Sequence, residues 1–172
     1  MKIYFDNIKL GWYVGLDLAS KSGFAVVHVT KKGVELVNYT SVSIPTGIPE
    51  LEKLHFIDCA LDSFLKGTKK IPLDTAIYTI EDCFLGKWNP KTFKLLARLE
   101  GYIIHSLLMS THGENIKLIY PSQARKMVGL AGNAKKDMVV DFVNTLTNTT
   151  LFKPVHHNIA DAIVLALAGG TP

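Results

Sequence analysis

The stretch WYVGLDLASKSGFAVVHV, residues 12–29, decides the fold. It holds two apolar, β-prone runs, Trp12 to Leu18 and Gly23 to Val29, separated by the short polar turn Ala19 to Ser22. That is the pattern of two strands joined by a tight connection. A third run starts at Gly33 and continues through Val42, with apolar alternation at Val34 and Leu36. The three together predict an antiparallel meander. Asp17 stands between Leu16 and Leu18, inside the first run. A charge in such a strand is seldom there for packing.

Outward from the meander, Pro45, Gly47 and Pro49 break the chain. Leu51, Leu54, Ile57, Leu61 and Phe64 to Leu65 follow at helical spacing, with Gly67 at the expected end. Thr75 to Ile80 is a short apolar run that predicts a buried strand and delivers Glu81 at its carboxyl end. Asn89-Pro90 marks a helix start, since proline suits the first helical position. That helix is expected to reach about Met109. Lys117 to Tyr120 predicts another strand, Pro121 opens a short helix, and Gly129 to Asn133 is a loop. Helices from Lys135 to Leu146 and from His157 onward complete the chain, the last with Gly169-Gly170 as a C-terminal cap. The order predicts one α/β domain over residues 1–172: a mixed five-stranded sheet flanked by helices. Sites in such sheets form at the carboxyl ends of strands, where Asp17 and Glu81 are expected.

The chain has 172 residues, 48% of them hydrophobic and 20% charged, enough for one core. No apolar run reaches the roughly 18 residues that span a bilayer. The N-terminus lacks the apolar segment of a signal peptide. Cys59 and Cys83 form no framework, and free buried thiols in a reducing compartment are expected. These features predict an intracellular protein, cytoplasmic or organellar, with bacterial and virus-encoded origins both open. The net charge is +4, but Lys87 to Lys136 holds nine basic residues against two acidic ones, Glu100 and Glu114. Such a segment suits a polyanion. Seventeen lysines against two arginines, Arg98 and Arg125, favour contact with backbone and shape over base reading.

Asp161 lies in HHNIADAIVLALA, an apolar helix, with Asn158 and His157 three and four residues earlier on its face. An acid on a helix face that packs on a sheet needs a partner, and a metal is a good one. Asp17, Glu81 and Asp161 are three separated carboxylates that a sheet could gather. Oxygen ligands favour Mg²⁺ or Mn²⁺. His157 is a further candidate ligand. Lys135 and Lys136, at a helix start where the dipole disfavours them, could stabilise phosphate charge. An acidic site in a basic chain points to phosphodiester chemistry.

Four segments, GLDLASKSGFAVV, IEDCFLGKWNPKTFKLLARLEGYI, YPSQARKMVGLAGNAKK and HHNIADAIVLALA, taken in order, resemble the RuvC-type Holliday-junction resolvases of the RNase H-like superfamily. The resemblance covers most of Tyr13 to Gly169. It implies a homodimeric endonuclease that uses two metal ions per site, Mg²⁺ or in its place Mn²⁺, to cut two strands of a four-way DNA junction symmetrically. It implies Asp17, Glu81, Asn158 and Asp161 as the ligand positions and Lys136 as the basic residue near the scissile phosphate. Phe84 matches the aromatic that stacks at the junction, a role suited to an apolar wedge. Lys87, Lys91, Lys135 and Arg125 are expected to contact DNA as well. The long helix from Pro90 matches the dimer helix.

Asn158 departs from the family, which has Asp or His there. Three explanations stand open: His157 substitutes, Asn suffices, or a deliberate Asp-to-Asn replacement has disabled the protein, towards which the family pattern leans. Rival functions are a nuclease of flaps or other branched nucleic acid, a non-catalytic junction-binding protein, and an actin-like ATPase fragment, for which the chain is short.

Overall fold

The computed structural model describes residues 7–68, 71–83, 89–111, 115–147, 150, 152–153 and 156–172. Five strands form one sheet: β1 (Gly11–Asp17), β2 (Lys21–Thr30), β3 (Gly33–Ser43), β4 (Ile77–Glu81) and β5 (Ile116–Ile119). Their spatial order is β3-β2-β1-β4-β5. The first three pair antiparallel, as the meander predicts. β4 and β5 join parallel to β1 and to one another, so the sheet is mixed. Five helices cover it: α1 (Glu50–Gly67), α2 (Pro90–Thr111), α3 (Pro121–Met127), α4 (Lys136–Leu146) and α5 (His157–Gly169).

Period-2 alternation assigns the two faces. Val14, Leu16, Phe24, Val26, Tyr78 and Ile80 pack against Leu54, Ile57 and Leu61 of α1 and Leu99, Ile103 and Leu107 of α2. Tyr13, Ala25 and Val27 pack on the opposite side with α4 and α5. Leu16 pairs with Ile80 in the β1–β4 ladder. The next residue in each strand is Asp17 and Glu81. Both therefore sit at the sheet's carboxyl edge on the face that α5 covers.

α5 is the central helix, with all of Ile159–Ala160 and Ala162–Gly169 buried. Glycine permits its close approach. A Cβ on Gly15 would lie 1.8 Å from the Ala162 carbonyl oxygen, and one on Gly23 would lie 2.1 Å from that of Asn158. Gly170 is the C-cap of α5, its amide donating to the Leu167 carbonyl at 3.0 Å. Gly170 is right-handed at φ −86, and Gly169 is needed because a Cβ would meet the Thr79 hydroxyl at 2.2 Å. Asn89 caps α2 through its side chain, accepting from the Lys91 amide at 2.9 Å. Cys59 and Cys83 are free thiols, but Cys59 is exposed rather than buried. It lies on the outer face of α1, beside His55. Among the described residues, no helix is long and apolar enough to cross a membrane.

Candidate metal centre

Asp17 is buried, 8% exposed, and its carboxyl group lies within hydrogen-bonding reach of Glu81. Burial holds the Asp17 pKa well above the usual carboxylate range, and the hydrogen bond and charge of Glu81 raise it further. Asp161 pushes in the same direction, while Lys136 opposes it. Glu81 is also raised, again chiefly by burial, but its bond to Asp17 lowers it. Both acids thus resist ionisation, Asp17 the more strongly.

Asp161 turns to Arg125 of α3, whose Nη2 donates to its Oδ1 at 3.0 Å. Both side chains are mostly buried, at 16% and 18% exposure. Arg125 also donates to the Ala134 carbonyl at 3.3 Å, and its Nε is buried without an acceptor. Asp161 still raises both Asp17 and Glu81 electrostatically, so the three acids share one region. They do not yet converge: among the described residues, no three His, Cys, Asp or Glu side chains stand close enough to hold an ion between them.

Asn158 lies one turn before Asp161, 2% exposed. Its Nδ2 donates to the Lys21 carbonyl at 2.7 Å, and its Oδ1 is buried with no partner. A carboxylate cannot donate that bond. An Asp at this position would therefore lose the bond to Lys21. His157 is the first, partly exposed residue of α5. Lys135 and Lys136 open α4 and are exposed, with Lys136 near enough to affect Asp17. Lys91 is exposed in the first turn of α2. Phe84 and Lys87 lie outside the described residues.

A family model described as crossover junction endodeoxyribonuclease RuvC matches residues 13–169. The chain belongs to the RuvC family. A curated RuvC from Brachyspira hyodysenteriae is 26% identical over 156 residues, covering 90% of this chain and 91% of its own length. The RuvC structure of Thermus thermophilus superposes with a TM-score of 0.68 at 21% identity, covering 92% of each chain. The same organism's RuvC in complex with a Holliday junction substrate superposes at 0.67 and 18% identity, again over 92% of each. These likenesses establish the RNase H-like fold. RuvC proteins are metal-dependent junction endonucleases, and membership gives the chain that enzyme class.

The residues fit a bound cation. Buried Asp17 and half-buried Glu81 resist ionising beside one another, and a buried carbonyl oxygen lacks a partner. A divalent ion would relieve both costs with oxygen donors of the hard type it prefers. Sequence reasoning missed two participants. It placed Arg125 among the DNA contacts and did not pair it with Asp161, 36 positions away. It counted Glu100 only as an exception in a basic segment, whereas its carboxylate accepts from the Cys83 amide at 2.9 Å, just beyond Glu81.

Proposed function

We propose that this RuvC-family chain resolves four-way DNA junctions, with Asp17, Glu81, Asn158 and Asp161 as the ligands of two Mg²⁺ ions, for which Mn²⁺ can substitute. The observation that carries the reading is the pairing of buried Asp17 with half-buried Glu81, set side by side at adjacent strand ends beneath α5. Such a pair costs folding energy and gives the core nothing in return. The bound cations would activate the attacking water and neutralise charge on the phosphate and the departing 3′ oxygen. Asp17 and Glu81, ionised once their proton is displaced, orient that centre. Asn158 adds a neutral oxygen whose direction its bond to Lys21 fixes. Asp161, now paired with Arg125, would hold the cation instead, and the guanidinium would then be free to face phosphate. Lys136, at the mouth of the site, backs the charge that builds on the scissile group. The product carries a 5′ phosphate and is ligatable.

Lys91, Lys135 and Lys87 are assigned to the DNA backbone and Phe84 to stacking at the junction. The Thermus thermophilus relative solved with a Holliday junction supports that choice of substrate. Tyr102, Leu108 and Met109 leave apolar surface exposed on α2, and this face is assigned to a second copy. The two sites of the homodimer then cut opposing strands. The work belongs to a DNA-containing intracellular compartment.

Labelled four-way junctions, incubated with Mg²⁺ or Mn²⁺, test the reading. Paired symmetric cuts that vanish in Asp17→Asn are expected. Faster cleavage of flaps than of junctions would move the substrate to other branched DNA. Tight junction binding with no cleavage by this chain or by Asn158→Asp would make it a binding protein.

A further inference from the structure

The chain leaves β4 at Glu81, and its next two residues are clamped from both sides. On one side the Asp82 amide donates to the Ile119 carbonyl of β5 at 3.1 Å, and the Asp82 carboxylate hydrogen-bonds the hydroxyl of Tyr120. On the other, the Cys83 amide donates to the Glu100 carboxylate of α2 at 2.9 Å. The Cys83 thiol is hydrogen-bonded to the same carboxylate. Glu100 follows Leu99, a fully buried residue of α2, so the clamp is mounted on a helix locked in the core.

The choice of residue runs against simple electrostatics. Glu100 adds a like charge near Glu81, in a region already holding Asp17 and Asp161. A carboxylate accepts an amide bond about twice as strongly as a neutral oxygen. Strength at this point matters because a small misplacement of a ligand is costly to catalysis. We propose that Glu100 is a positioning residue: by gripping the Cys83 amide it fixes the exit of β4, holds Glu81 in place for the cation, and ties that ligand to α2. The inference rests on the nuclease reading above.

Glu100→Ala and Glu100→Gln, compared in the full-length protein, test it. The glutamine oxygen can still accept the bond; alanine cannot. In Glu100→Ala, exchange of the Cys83 amide proton should speed up and Mn²⁺ binding by calorimetry should weaken. Its kcat on a four-way junction should fall on the order of tenfold to a hundredfold, with KM unchanged. Glu100→Gln should keep Cys83 protection and most of kcat. Parent-like kcat and Mn²⁺ affinity in Glu100→Ala would overturn the proposal. So would equal losses in both variants, since charge rather than the grip would then matter. Should the unmodified chain cut no junction, the nuclease reading fails; Mn²⁺ affinity and Cys83 exchange in Glu100→Ala then still decide whether Glu100 positions the acids.

Discussion

Asp17 is held in surroundings that disfavour its charge, and this can be measured. Its raised pKa means the folded protein keeps a proton that the unfolded chain releases. Without divalent cation, stability should therefore fall as pH rises through and above the ordinary carboxylate range. Asp17→Asn should abolish cleavage yet melt higher than the parent at neutral pH, with the gap closing in acid. Each kcal/mol recovered is worth about 2–4 °C in a chain of this size. Unchanged melting in metal-free buffer would contradict the burial argument. Asn158→Asp should do the reverse: it loses a buried bond and sets a carboxylate against the Lys21 carbonyl. A loss of about 1–3 kcal/mol without metal and tighter Mn²⁺ binding are expected from a thermal melt and a calorimetric titration. At this scale the sequence was informative wherever a charge interrupted an apolar run, as at Asp17, Glu81 and Asp161. It put Arg125 on DNA and gave Glu100 no role, because the partners of both lie on other elements and leave no local spacing.

Among elements, α5 does most to assemble the site. Its approach to β1 depends on Gly15, where any Cβ would strike the Ala162 carbonyl. Gly15→Ala should cost at least about 1–3 kcal/mol by overpacking, read as a lower urea midpoint. Cleavage should fall with it, because α5 carries both Asn158 and Asp161. A variant as stable as the parent would show that the helix can shift. The elements themselves were largely legible: the meander from β-prone runs, α2 from Asn89-Pro90, and α5 from its apolar length. Boundaries were less so. β4 extends through Glu81 rather than stopping before it, because pairing with β5 continues to Ile119. Gly170 caps α5 as read, but the need for Gly169 arises from Thr79, a residue of β4, and leaves no local signal.

For the whole molecule, the exposed Leu108 and Met109 of α2 predict self-association. Leu108→Glu combined with Met109→Glu should sediment as a monomer at concentrations where the parent is a dimer, and should nick junctions instead of resolving them. A parent that resolves junctions as a monomer would refute the assignment. The bond from Asn158 to Lys21 joins residues 137 positions apart, and contacts of that span close late in folding. The meander that carries Asp17 ends at Ser43, far before Asn158 and Asp161 in the chain. A fragment ending before residue 157 would keep Asp17 and Glu81 but lack Asn158 and Asp161, and is expected to leave a labelled four-way junction uncut. The last helix thus closes a site whose first acid lies in the first strand, so the two ends of the chain must both be present for the acids to meet.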